Sequence, residues 1–270
     1  MKTLPLKDNP YSQRASGSWI SASEQNKNKC LRLFCFPYAG GGAATYRQWG
    51  DGMPDGIEIC PVHLPGREDR IRERPHVRIA PLVDDFIEAL IPYLDGVPYA
   101  FFGHSMGAVI AYEVAQKLLT RHGESPAHLF VSARQAPHLP LMRRPWHTLS
   151  DDDLKEKLRQ LNGTPDDVLN NDDVMGILLP MLRADFELNE TYQSSMHVLL
   201  DCPITAFGAM SDEHVEVDQL DAWRYLTSCS FDMKFFPGNH FYIKEQKSAV
   251  IAILAQHLTS YLPTVARIAK

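Results

Sequence analysis

Gly103-His104-Ser105-Met106-Gly107 decides how this chain is read. The stretch has the form G-x-S-x-G, and both flanks suit it. Val97-Pro98-Tyr99-Ala100-Phe101-Phe102 is a short apolar run of the kind a buried parallel strand makes. Ala108 to Leu119 reads as a helix, with apolar positions at 106, 109, 110, 114 and 118 and a stop at Gly123. Strand, sharp turn and helix is the setting in which this pattern makes a nucleophile elbow. The glycines let backbone crowd the turn, so that the Ser105 hydroxyl stands clear. The helix behind it offers free N–H groups to a developing oxyanion.

A serine needs a base, and the base an orienting acid. In folds built around such an elbow the chain order is Ser, then Asp or Glu, then His. Pro203 to Ala209 is an apolar strand leading to Asp212, with Glu213 and Asp218 as less well placed rivals. Cys229 to Phe236 alternates as a strand, breaks at Pro237-Gly238-Asn239, and delivers His240. An amphipathic closing helix is expected from Glu245 through Leu262. Among the eleven histidines, His104 flanks the serine and should point elsewhere, and His214 is too near Asp212 in sequence to bridge it to Ser105. His240 is the expected base and Asp212 the expected acid. The other half of an oxyanion hole should follow an early strand. Leu31 to Phe36 is such a strand, Pro37-Tyr38-Ala39-Gly40-Gly41-Gly42 the turn, and Ala43 the start of a helix. The triple glycine lacks the Lys-Ser/Thr of a phosphate loop and the G-x-G-x-x-G spacing. The Ala39 and Met106 amides are the expected oxyanion donors.

Phe36-Pro37-Tyr38-Ala39-Gly40-Gly41, Leu64-Pro65-Gly66-Arg67-Glu68-Asp69-Arg70, Phe102 to Ala108, His128 to Arg134, Leu182-Arg183-Ala184-Asp185-Phe186, Ala222-Trp223 and Pro237 to Tyr242 together resemble the type II thioesterases of nonribosomal peptide and polyketide synthesis. The ordered set stretches from about Leu31 to Leu262. The resemblance implies an α/β-hydrolase fold, with a mostly parallel central sheet flanked by helices and a helical lid insertion. It implies a stand-alone serine hydrolase that clears acyl or aminoacyl groups from the phosphopantetheine arms of acyl or peptidyl carrier proteins. Gly208-Ala209-Met210-Ser211-Asp212-Glu213 departs from the family pattern, which usually has a second glycine and a proline after the aspartate. The triad also leaves room for a general carboxylesterase or lipase, or for a binding module on a dead fold.

At 270 residues and 44% hydrophobic content the chain can bury one substantial core. Residues 1–27, rich in Ser, Asn, Gln and Lys, are expected to be a flexible N-terminal extension, and 28–270 the hydrolase domain. The lid is expected over about 138–200: Ser150 caps a helix carrying Leu154, Leu158 and Leu161 on one face, and a second helix covers roughly 174–192. Met181 in that second helix is a candidate for lining the acyl path, or for packing the lid onto the core. A net charge of −6 argues against a nucleic-acid partner. Five cysteines without a C-x-x-C pattern, an unhydrophobic start and no long apolar run point to a reduced, cytoplasmic protein off the membrane. No metal or other cofactor is expected, and the expected state is a monomer. Arg143, Arg144 and the group Arg67, Arg70, Arg72 and Arg74 are either a docking patch for acidic carriers or ordinary surface charges, with Arg67 alternatively paired to a core acid.

Overall fold

The computed structural model describes residues 18–21, 29–140, 145–194 and 198–262. Six strands form one sheet in the order β2-β1-β3-β4-β5-β6, and every neighbouring pair is parallel. They are β1 (Leu31–Phe36), β2 (Ile57–Pro61), β3 (Tyr99–His104), β4 (His128–Ser132), β5 (Ile204–Ala209) and β6 (Phe231–Phe236). The inner strands are buried end to end, which is why they read as apolar runs. Alternation still sorts their two faces. On β1, Phe34 and Phe36 join one core layer while Leu31, Leu33 and Cys35 join the other.

Helices cover both faces: α1 (Ile79–Leu90) and α2 (Met106–His122) on one, and α8 (Lys247–Leu258) on the other. α2 stops where Gly123 turns left-handed at φ +66°, its amide bonding back to the Leu119 carbonyl. The sequence suggested a helix from Ala43, but only a single 3₁₀ turn, Ala43–Tyr46, forms before Gly50 and Gly52. The closing helix is likewise shorter than its pattern. A four-residue turn, α7 (Tyr242–Glu245), precedes α8, which gives way to a 3₁₀ turn at Thr259.

The strand order places the chemistry. From β1 the chain moves to β2 on one side and then to β3 on the other, so the loops leaving β1 and β3 diverge at adjacent strand ends. Such a switch point opens a crevice outside the carboxyl edge of a parallel sheet. Phe36 lies opposite Gly103, which brings the triple-glycine loop beside Ser105.

Between β4 and β5 the chain inserts α3 (Asp151–Leu161), α4 (Asp166–Leu169) and α5 (Asp172–Glu190). Ser150 caps α3 by accepting the Asp153 amide at 3.1 Å, and Leu154 and Leu158 are buried. These helices hold a small core of their own, including Leu154, Leu158, Met175, Met181, Leu182 and Phe186.

One expectation is corrected at the amino end. Residues 18–21 do not belong to a flexible extension. Ile20 pairs antiparallel with Val62, the His63 amide donates to the Trp19 carbonyl at 2.8 Å, and Trp19 and Ile20 are buried in the main core. Trp19 packs edge-on against Phe86 and carries the Arg70 guanidinium 4.1 Å over its ring. The remainder of the 1–27 expectation lies outside the described residues. A further short element, α6 (Val217–Asp221), follows β5.

Candidate active site

The elbow is built by sterics before any chemistry enters. A Cβ on Gly103 would lie 2.1 Å from the Gly107 carbonyl oxygen, and one on Gly107 would lie 2.2 Å from the Phe36 carbonyl oxygen. Only glycine at both places lets α2 leave β3 this sharply and lie against the end of β1. Ser105 absorbs the turn at φ +54°, ψ −114°, an uncommon conformation for a residue with a side chain. Its amide is secured by the Ser132 carbonyl at 2.7 Å.

Ser105, Asp212 and His240, read from three separate strand ends, meet at one point. His240 Nε2 lies 3.1 Å from Ser105 Oγ, and His240 Nδ1 lies 2.9 Å from Asp212 Oδ2. Asp212 Oδ1 accepts the His214 amide at 2.8 Å. With Nδ1–H donated to the carboxylate, Nε2 is left as the acceptor for the serine hydroxyl. The Asp212 side chain is almost fully buried, at 1% exposure. Burial by itself would push this carboxyl up, but the bonds from His240 and the His214 amide outweigh it and hold its pKa below the usual value. These are the distances and the ordering of groups that activate a hydroxyl nucleophile.

The sequence left the surroundings of this chain unread. His104 turns away from the serine, is fully buried, and shares a 2.7 Å hydrogen bond with Ser132 Oγ, which in turn shares one of 2.6 Å with the Tyr242 hydroxyl. Burial depresses the His104 pKa far below that of a free imidazole and raises that of Tyr242, so both stay neutral beneath the His240 ring. His214, set aside as a base, stands edge-on to His240 with ring centres 5.3 Å apart. Its value to the site is its backbone amide, which no side-chain pattern reveals.

Neither the Ala39 nor the Met106 amide donates a hydrogen bond to another group among the described residues. Met106 N–H opens α2, where no intrahelical partner exists. Gly40, after Ala39, is left-handed at φ +79°, and a Cβ there would come within 2.7 Å of Leu182 on α5.

Above the serine lies a cavity of about 260 Å³. Its floor includes Ser105, His240 and Ala39, and its walls include Leu158, Leu178, Met181 and Phe186 from the inserted helices. Gly163, Thr164 and Pro165, which follow α3, also line it. Gly163 packs so closely on Phe241 that a Cβ would lie 2.5 Å from the ring, and Lys244 donates to the Gly163 carbonyl at 2.9 Å. The insertion is thus anchored beside His240.

Of the basic residues considered for docking, Arg67 is buried and paired with Asp185. Arg70 is buried too, bound to Glu73 and to the His63 carbonyl. Neither can belong to a surface patch. Arg72 and Arg74 are exposed, and Arg143 and Arg144 lie outside the described residues. All five cysteines are free, and Cys35, Cys60 and Cys202 are packed inside. Among the described residues no helix is long and apolar enough to cross a membrane, and no group of three or more His, Cys, Asp or Glu side chains is placed to hold a metal.

Comparison with known proteins agrees in sequence and in shape. The family model described as Thioesterase domain matches residues 31–258. The gramicidin S biosynthesis protein GrsT of Aneurinibacillus migulanus is 41% identical over 240 residues, spanning 89% of this chain and 93% of that one. The solved structure of RedJ, a thioesterase from the prodiginine pathway of Streptomyces coelicolor, superposes with a TM-score of 0.81 at 40% identity, covering 92% of this chain and 98% of the other. BorB, a type II thioesterase from the borrelidin cluster, superposes with a TM-score of 0.81 at 33% identity over 91% of this chain and 99% of its own.

Proposed function

This chain belongs to the thioesterase family, and from that premise we propose that it hydrolyses acyl or aminoacyl thioesters from the phosphopantetheine arms of carrier proteins in nonribosomal peptide or polyketide biosynthesis, as a type II editing enzyme. The observation that carries this reading is the hydrogen-bonded line Ser105–His240–Asp212 beneath a cavity roofed by α3 and α5.

In the proposed reaction, Ser105 Oγ attacks the thioester carbonyl as His240 Nε2 takes the hydroxyl proton. Asp212 holds the imidazole tautomer and stabilises the imidazolium. The Ala39 and Met106 amides receive the oxyanion. The carbon–sulfur bond then breaks, and the imidazolium returns its proton to the departing pantetheine sulfur. Water attacks the acyl-serine with His240 again as base, releasing the free acid and restoring Ser105. The chemistry in this reading draws on these three side chains and two backbone amides, with phosphopantetheine arriving as part of the substrate.

Apolar side chains of α3 and α5 on the cavity wall suit an acyl group, and Arg134, Gln135, Asn189 and Glu190 give the same cavity polar partners for an amide-bearing arm. The docking partner in this reading is an acidic carrier domain. The same reading takes the enzyme as a cytoplasmic monomer, in keeping with five free thiols.

The test is a direct comparison of substrates. An acyl carrier protein and a pantetheine thioester should be hydrolysed, and a free oxygen ester of the same acyl group should react much more slowly. Ser105→Ala should abolish turnover by about 10⁴-fold or more in a folded protein. A preference for the oxygen ester would instead make this a general carboxylesterase. Absence of turnover together with absence of fluorophosphonate labelling at Ser105 would leave only a binding module.

A further inference from the structure

Two stretches picked out in the sequence, Leu64 to Arg70 and Leu182 to Phe186, take no part in the chemistry above. In the folded protein they meet. Arg67, from the loop after β2, grips Asp185 of α5 with two hydrogen bonds, 2.8 Å from Nη1 to Oδ2 and 2.6 Å from Nη2 to Oδ1. Both side chains are nearly inaccessible. A planar guanidinium held at two points fixes orientation as well as distance.

The pair does more than join two elements. Asp185 Oδ2 also accepts the Gly40 amide at 2.8 Å, and Arg67 Nη1 also donates to the Gly41 carbonyl at 2.9 Å. The adjoining Glu68 accepts the Ala43 and Ala44 amides, each at 2.9 Å. Residues 40–44 therefore have four backbone polar groups held by three side chains, of which Arg67 and Asp185 are buried. The Gly41 amide turns back to the Tyr38 carbonyl at 2.8 Å. Directly before this anchored stretch stands the Ala39 amide, left without a partner among the described residues. Leu182, pressed against Gly40, removes slack on the side of α5.

We infer that Arg67 and Asp185 are positioning residues for the oxyanion hole, fixing the peptide after Ala39 so that the Ala39 amide is aimed at the reacting carbonyl and tying that aim to the seat of α5. This rests on Ala39 being an oxyanion donor. Neither residue touches the reacting atoms. Their effect is on a donor that must lie within hydrogen-bond distance of an oxygen that is charged only in the transition state.

The experiment uses the full chain, a pantetheine thioester and a trifluoromethyl ketone analogue of it, whose adduct with the serine places an oxyanion in the hole. Arg67→Met should lower both kcat and the melting temperature, since it strands a buried carboxylate. The double variant Arg67→Met with Asp185→Leu should recover part of the melting temperature lost in Arg67→Met, because apolar groups can replace a buried ion pair, while the Gly40 amide and the Gly41 carbonyl stay without these partners. Its kcat should remain down by about 10²-fold with KM within about two-fold, and its ketone affinity should fall by the same factor as kcat. Wild-type kcat and ketone affinity in the double variant would mean that the pair only holds the fold, and a change confined to KM would mean that it shapes substrate binding; either overturns the inference. Ala39→Pro, which removes the amide hydrogen, separates the premise from the proposal. If it spares ketone affinity, Ala39 is not a donor. If it abolishes that affinity while the double variant does not, the hole stands and the clamp is wrong.

Discussion

Replacing Asp212 by Asn keeps the shape of the side chain and removes only its charge and half of its accepting capacity, so the cost can be worked from two contacts. Oδ1 receives the His214 amide at 2.8 Å and Oδ2 receives His240 Nδ1 at 2.9 Å. An asparagine has one oxygen for these two donors. If the oxygen stays with His214, the new NH₂ faces Nδ1 and forces the ring into the tautomer with hydrogen on Nε2. That nitrogen then donates to Ser105 and cannot take its proton, and the loss should approach about 10⁴-fold. If the amide turns over, Nε2 stays free to accept the proton, but the neutral amide no longer stabilises the imidazolium, and the buried NH₂ confronts the His214 N–H at about 1–3 kcal/mol, which makes this competent arrangement roughly five- to 150-fold rarer. The observed rate should therefore fall by at least about five-fold and at most about 10⁴-fold. KM for a pantetheine thioester should stay near that of the parent, and titration of Ser105 with a slow phosphonylating reagent should give full stoichiometry if forced to completion. Retention of nearly all the parental rate, with Glu213→Gln crippling instead, would move the acid by one residue and refute the reasoning. A stability change accompanies the rate. The folded carboxyl titrates below its ordinary value, so its contribution is present above about pH 4 and is lost as pH falls through the folded value. The melting temperature of Asp212→Asn should lose that part of the acid dependence.

Met181→Trp should narrow the cavity that Met181 lines, so that kcat/KM falls more for longer acyl chains than for acetyl, by about four-fold for each methylene excluded at roughly 0.8 kcal/mol; an unchanged chain-length profile in a folded variant would remove Met181 from the acyl path. Gly107→Ala should drive a methyl into the Phe36 and Pro37 carbonyls and cost about 1–3 kcal/mol, lowering the melting temperature by about 2–4 °C per kcal/mol and reducing kcat as the elbow shifts; parental values of both in calorimetry and kinetics would contradict the packing argument. His128 is buried against Phe130 and bonded to Thr205, and burial, aided by His257, lowers its pKa to about 3. Its folded value lies below its unfolded one, so the stability it lends is complete above about pH 6.5 and drains away as pH falls, by about 2 kcal/mol between pH 6.5 and 5. Denaturant titrations should show a flatter acid limb in His128→Gln; identical limbs would show that this histidine does not resist protonation.

Much of the architecture is legible because its signals are local. The strand of β1 is bounded in the sequence as it is in the fold, and the apolar run before Ser105 and the helix after it need only near neighbours to be recognised. Glycines at 103 and 107 announce a backbone contact even before its partner is known. The order Ser105, Asp212, His240 is legible for a related reason: each residue follows a strand, and parallel strands put their following loops on one edge. Where propensity ran ahead of the fold, tertiary packing set the limit. The helix expected at Ala43 stops after one turn, and Trp19 with Ile20, expected in a flexible arm, are buried because Val62 and Phe86 offer them a strand edge and an aromatic partner.

What the sequence alone determined is the kind of fold, the identity of the nucleophile, acid and base candidates, and the family. What only the tertiary structure decided is how their surroundings act on them. The His214 amide on Asp212 is a backbone contact with no residue signature. Arg67 and Asp185 are 118 residues apart, and either could have been a surface charge until α5 folded over the loop after β2 and excluded water from both. Side-chain pattern fixes which faces are buried. It does not fix which distant loops share one low-dielectric space, and there the pairing of charges and backbone groups is set.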